Sequence, residues 1–277
     1  MANSNAENRH IQHSHYHLKL SYPKSGFQKI YSNVLLPLVI LTITFLILFF
    51  VVGLSQTSVT MPEIQYILAA LSFTFMRLLL AFALALIVSV PLSLLITRNK
   101  TTEKIFLPLF DVIQSVPVLA FFPVVILLFI HSNFLNGAAI FIFFLSMLWN
   151  IIFSVVAGLH VIPDDVKQAT QIFHITGTRR LDKITIPAVI PYIITGSLLA
   201  WAQGWNIIIV AEVLHTYIYQ GTSAQDLFGI GSVLVNSSAN GQHEQFLLAI
   251  IAMIILIGLL NLFVWQKLLQ YSEKFKF

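Results

Sequence analysis

Cysteine is absent from the 277 residues, so the chain can form no disulfide and offers no thiolate for catalysis or metal binding. Charge is almost as scarce: 9% of residues are Asp, Glu, Lys or Arg, against about 25% in ordinary soluble domains, while 57% are hydrophobic. No Gly-x-x-x-x-Gly-Lys-Ser/Thr run occurs and no glycine is followed by lysine, which excludes a P-loop built by this chain. The apolar/polar alternation of a membrane β-barrel is missing. With a net charge of only +4 there is no basic face for nucleic acid. Paired acids, His-Glu-x-x-His and Ser/His arrangements are absent at membrane depth, which disfavours an intramembrane enzyme.

What is abundant is long apolar sequence, and runs of roughly 20 such residues cross a bilayer as helices. The expected fold is an all-α integral membrane protein with six transmembrane helices. Residues 1–30 are polar, lack the order of a cleavable signal peptide and read as a cytoplasmic tail. Its His10, His13, His15 and His17 lie close together, but no carboxylate or cysteine completes a metal site, so no metal is assigned. Residues 31–63 hold the first span (33–54) and an outer turn, residues 64–267 form a core of five spans, and 268–277 are a second cytoplasmic tail. The second span runs over 64–97 and contains Arg77; the third, 105–130, carries Pro108, Pro117 and Pro123 and should bend. The fourth is 138–160. The fifth, 184–214, offers Gly196 and Gly204 for close helix contacts, and the last is 246–266.

Six crossings put both termini on one side, and every Lys and Arg except Arg77 falls in the segments on that side. By the positive-inside rule the termini and residues 163–187 are cytoplasmic, and the Ser/Thr/Gly-rich 215–245 loop faces outward.

Residues 163–187 are the longest polar interruption after the spans begin, a handle outside the hydrocarbon. Pro163 suits a first helical turn, and Asp164 and Asp165 suit the positive end of the helix. Val166, Ala169, Ile172 and Phe173 mark one apolar face, and Gly177 is a plausible stop.

The handle resembles the cytoplasmic loop of binding-protein-dependent ABC transporter permeases, whose pattern is Glu-Ala-Ala, three residues, Gly, nine residues, Ile-x-Leu-Pro. Gln168-Ala169-Thr170 stand for Glu-Ala-Ala, His174 for the glycine, Ile184 for the isoleucine, and Ile186-Pro187 for Leu-Pro. Gly177, three positions beyond His174, is placed to take over the chain reversal. Gln114 to Pro123, Met147-Leu148-Trp149-Asn150, Gly204-Trp205 with Ala211-Glu212, Gly229-Ile230-Gly231-Ser232 and Tyr271 to Phe275 are similar to the nitrate/sulfonate/taurine-type branch of anion permeases.

The resemblance implies a type I ABC importer permease in a bacterial cytoplasmic (inner) membrane. It implies a pathway for a small anionic solute and a handle gripped by a separate ABC ATPase dimer, through Pro163, Asp164, Asp165, Lys167, Gln168, Ala169, Thr170, His174, Gly177 and Pro187. It also implies a periplasmic or surface solute-binding protein and a second permease copy or sister permease. No cofactor is expected on this chain; ATP and Mg belong to the ATPase, and the chain is a transporter subunit rather than an enzyme.

Ionisable residues at membrane depth are the default functional candidates. Arg77 either attracts an anion or snorkels to lipid phosphates, and its place near an interface favours snorkelling. Glu212 would repel an anion, which favours pairing with a basic residue or capping the neighbouring loop; Asp111 reads as interfacial. Gln114, Asn150, Trp205 and Asn206 offer polar edges and aromatic faces along a pathway, and Gly229, Gly231 and Ser232 offer backbone N–H donors to a gate or an anion. An ion-coupled secondary transporter or channel is the alternative, with Arg77, Asp111 and Glu212 as its pathway residues.

Overall fold

The structure, a computed structural model, describes residues 60–125, 128–129, 134–175, 177–214 and 226–275. The tail at 1–30, the first span at 33–54 and parts of the segments 55–63, 131–137 and 215–245 lie outside the described residues. No strand occurs among the described residues. Four of the described helices are long and apolar enough to cross a membrane, or five if one bent pair counts as a span.

Helix α1 spans Met61–Thr97. The Thr60 N–H donates to Glu63 Oε2 at 2.9 Å, and Pro62 occupies the first turn, where a missing N–H is no loss. At 37 residues the helix is ~55 Å long, more than the hydrocarbon thickness, as its sequence length requires. Helix α2, Lys100–Ser115, begins where the Asn99 side chain accepts from the Thr101 N–H at 3.1 Å. It breaks at Val116, which is extended because Pro117 follows it. The chain then turns by 95° into a 3₁₀ turn, Val118–Phe121, and the short α3, Phe122–Val125. The expected bend is therefore at Pro117 alone. Pro108 lies inside α2 without ending it, and Pro123 sits in the first turn of α3.

Helix α4, Leu135–His160, runs parallel to α1. The Arg77 guanidinium meets Asn136, the Ser89 hydroxyl approaches the Leu148 carbonyl at 3.3 Å, and Ser93 approaches that of Ile152 at 3.3 Å; all three pairs are separated by 59 positions. One fixed offset over four turns means that two parallel helices keep register along their length. Small residues make this possible: Ala81, Ala85, Ser89 and Ser93 are fully buried in the seam.

The handle contains α5, Asp164–Ile172. After a three-residue turn of helix, Thr178–Arg180, and a wide turn, Leu181–Thr185, the chain enters α6, Ile186–Asn206. Helix α6 lies antiparallel to α4 at close range. A Cβ on Gly196 would stand 2.6 Å from Ser154, one on Gly158 would stand 2.6 Å from Tyr192, and one on Gly204 would collide with Met147. The fifth span does not continue unbroken to Leu214. It ends at Asn206, and after Ile207 a separate helix α7, Ile208–Glu212, begins.

The stretch expected as a polar outer loop contains helix α8, Ile230–Ala239, with Ile230, Gly231, Ser232, Val233, Leu234 and Ser237 buried. Its Ser and Gly content suits a helix packed tightly against neighbours, which composition alone reads as loop. Helix α9, His243–Leu260, does not stop near Gln266 but continues through Asn261–Trp265 and α10, Gln266–Ser272, to a last turn at Glu273–Phe275. This end packs against α6, so residues 268–275 are helix rather than tail. The core lies among α1, α4, α6 and α8, with Leu78, Ile142, Phe143, Met147 and Ile151 fully buried.

Candidate functional site

Two of the polar clusters among the described residues bear on function, and they lie at opposite ends of the helices. The first is the handle. Asp164 and Asp165 occupy the first turn of α5, where the helix dipole favours anions. Pro163 stands just ahead of that helix, Gln168 is exposed, Ala169 is half-buried and Thr170 is buried. Lys167 lies in the middle of α5.

The expected apolar stripe divides. Val166 and Ala169 are half-buried, whereas Ile172 and Phe173 are each 74% exposed at the tip. Helix α5 ends in a Schellman turn. The Ile175 N–H donates to the Thr170 carbonyl at 2.9 Å, and the residue between them that takes the left-handed conformation is His174, at φ 51°. Gly177, at φ 61°, supplies a second left-handed position that redirects the chain toward α6. The reversal is thus shared by the two residues, and His174 performs it in a conformation that ordinarily selects glycine.

The second cluster lies at the other end. Arg77 is 6% exposed and Glu212 is 0% exposed, and Arg77 Nη1 lies 2.8 Å from Glu212 Oε1. Arg77 therefore does not snorkel: its other nitrogens are committed to protein, Nε to Asn136 Oδ1 and Nη2 to the Phe228 carbonyl, each at 2.9 Å. A guanidinium has five N–H donors in a fixed fork, and here the fork reaches from α1 to α4, α7 and the segment leading into α8. Thr74, one turn before Arg77, donates to Glu212 Oε1 at 2.7 Å and accepts from the Ile230 N–H at 2.8 Å. The Gly231 N–H donates to Glu212 Oε2 at 2.8 Å.

Glu212 thus pairs with a basic residue and also caps the helix after the loop, the two roles that sequence allowed it. Its own carbonyl accepts from the Leu227 N–H at 3.0 Å, which closes the base of the intervening loop. The Gly231 N–H is aimed at this carboxylate, and the Gly229 N–H is 3.2 Å from Ser232 Oγ, so both donors are engaged within the protein.

Of the residues singled out in the sequence, Arg77, Glu212, Gly229, Gly231 and Ser232 come together here. Gln114, Asn150, Trp205 and Asn206 do not. Gln114 is exposed and donates to Asp111, also exposed, at 2.8 Å; Asn150 is half-buried on α4; Trp205 is buried in the core; Asn206 is exposed at the end of α6. Thr74, Asn136 and the Phe228 carbonyl were missed. The available signal was a threonine three positions before the lone intramembrane arginine, on the same helix face.

Residues 89–271 match the family model described as binding-protein-dependent transport system inner membrane component. The chain is 29% identical over 184 residues to a nitrate import permease protein of Leptolyngbya laminosa, covering 66% of this chain and 61% of that one. It is 27% identical over 175 residues to a bicarbonate transport system permease protein of Synechococcus elongatus, covering 63% and 59%. The aligned region thus spans about three-fifths of the length of these curated relatives.

Proposed function

Because the chain belongs to the binding-protein-dependent transport system inner membrane components, we propose that it is the permease subunit of an ATP-driven importer for a small planar oxyanion of the nitrate or bicarbonate kind. The observation that carries this reading is the handle. Helix α5 lies between two long spans in the chain, and its last turn buries Thr170 while presenting Ile172 and Phe173 to solvent. Exposed large apolar residues at one end of the helix, with Asp164 and Asp165 at the other, suit insertion into a groove of another protein. A short helix tied into the chain between two spans passes on displacement, where a slack loop would absorb it.

In this reading the handle faces the cytoplasm, where a dimeric ATPase grips it through Pro163, Asp164, Asp165, Lys167, Gln168, Ala169, Thr170, His174, Gly177 and Pro187. A second permease subunit, identical or related, completes the pathway, and a solute-binding protein delivers the anion to the opposite face. ATP and Mg are held by the ATPase. The ion-coupled alternative has Arg77, Asp111 and Glu212 meeting the moving ion, whereas Arg77 and Glu212 are bonded to each other and Asp111 is exposed and paired with Gln114.

The test is reconstitution in proteoliposomes with the co-purifying ATPase and binding protein. ATP-dependent uptake of labelled nitrate or bicarbonate is expected, and reversing the charges of Asp164, Asp165 and Lys167 should release the ATPase and stop uptake. Uptake that follows an ion gradient without ATP would refute the proposal.

A further inference from the structure

We infer that Thr74, Arg77, Asn136 and Glu212 are positioning residues for transport, forming a latch that holds the start of α8 against α1 and parts during each cycle. The inference rests on the proposed importer function but concerns a different part of the molecule from the handle.

The bonds converge. Arg77 reaches Asn136, Glu212 and the Phe228 carbonyl, while Thr74 and the Gly231 N–H secure the same carboxylate. Four elements meet through one arginine and one glutamate. Both side chains are buried, so each loses hydration that the pairing only offsets. An apolar cluster of similar volume would stabilise the fold as well, and stability alone therefore does not explain an ion pair here. Directional bonds differ from apolar packing in how they fail. Apolar surfaces slide and re-pack by degrees, whereas this set is either engaged or not once Arg77 and Glu212 separate by a few ångströms, which gives two discrete states.

The clamp also sets what lies outside it. By holding the Phe228 carbonyl, Arg77 places the Phe228 ring edge-on against Tyr66 and Phe73, at 5.3 Å and 5.6 Å between centroids. All three rings are exposed, so the seam between α1 and residues 226–231 is polar inside and a thin aromatic contact outside. It lies at the end of the helices opposite the handle, where a pathway worked from the handle must open.

The absence of native cysteine makes a lock direct to build. Tyr66→Cys with Phe228→Cys leaves every latch bond in place, since Phe228 takes part only through its backbone carbonyl. The two thiols can be bridged in the reconstituted complex by a short bis-thiosulfonate, which forms a reducible disulfide with each cysteine and releases a sulfinate from each end, and the single-cysteine variants control for reagent acting on partner chains. A latch that opens predicts that bridging stops ATP-dependent uptake of labelled nitrate and bicarbonate and that reduction restores it. Uptake that persists in the bridged protein would mean a fixed strut and would overturn the inference, leaving the importer function intact. Phe73→Cys with Phe228→Cys tests the same seam if the first pair does not assemble.

A readout independent of solute is the cross-linking yield with and without ATP plus orthovanadate. A latch changes the yield with nucleotide and a strut does not, so failure to take up either anion would count against the importer function alone. Rescue separates the roles further. Thr74→Ser keeps the hydroxyl and should keep uptake, while Thr74→Val should lower it about tenfold or more, the worth of a hydrogen bond to a charged group. Equal uptake by the two would count against Thr74 as a positioning residue.

Discussion

Gly229 lies so near Glu212 that a methyl group in place of its hydrogen would fall inside the van der Waals shell of both carboxylate oxygens. Neighbouring Gly231 is almost as confined, with the Ile208 carbonyl oxygen 2.8 Å and Glu212 Oε2 3.0 Å from where a Cβ would stand. Gly229→Ala should therefore displace the carboxylate from Arg77 and destabilise the protein by about 2 kcal/mol or more, the scale of an overpacked buried site. Gly258→Ala on α9, with nothing within 4 Å, is the control: it should be neutral or stabilise by about 0.5–1 kcal/mol. Thermal unfolding in detergent compares the two.

Removing one partner of the ion pair should cost more than removing both. Arg77→Met leaves a carboxylate buried without its counter-charge and is expected to destabilise by about 3–5 kcal/mol, whereas Arg77→Met with Glu212→Leu should recover most of that loss. A double-mutant cycle read by equilibrium unfolding gives the coupling. Additive losses would mean that the pair is not coupled.

His174 occupies a left-handed position that a side chain adopts at a cost of about 1–2 kcal/mol. His174→Gly should relieve that strain and increase amide-exchange protection in α5, and His174→Val should lower it. Equal protection in the two variants would mean that the φ of 51° is not limiting.

Ile172 and Phe173 are exposed, so their replacement should leave the fold alone. Ile172→Asp and Phe173→Asp are expected to change stability by less than about 0.5 kcal/mol, as surface substitutions do, yet to abolish ATPase co-purification. An ATPase that stays bound to both variants would place the docking face elsewhere.

Hydropathy alone marked where the described spans lie, because the energetic penalty on polar backbone and side chains in lipid is large and local. A bend within 105–130 was legible from its three prolines, but not that Pro117 alone makes it, because α2 continues through Pro108 and Pro123 sits in the first turn of α3, where a helix tolerates it. Helix α5 was legible from Asp164, Asp165 and the spacing of its apolar residues. What could not be read is what depends on distant partners. Arg77 and Glu212 lie 135 positions apart, and nothing near either one names the other. Snorkelling followed from placing Arg77 close to an interface, but it assumed a lipid-facing side, and the direction of that side is set by how α4, α7 and α8 assemble around α1. Helix α8 was hidden because its glycines and serines, which signal loops in solution, serve here to admit neighbouring backbones. The break at Asn206 has no proline to announce it.

The constant 59-residue offset between α1 and α4 restricts how these two rods can move. A ratchet of one helical turn, about 5.4 Å, would strand Arg77, Ser89 and Ser93 together, so this pair should pivot as a single plank rather than shear. Inserting one residue into α1 between Arg77 and Ser89 would throw the two halves of the plank out of phase, and a matching insertion in α4 between Asn136 and Leu148 would bring them back.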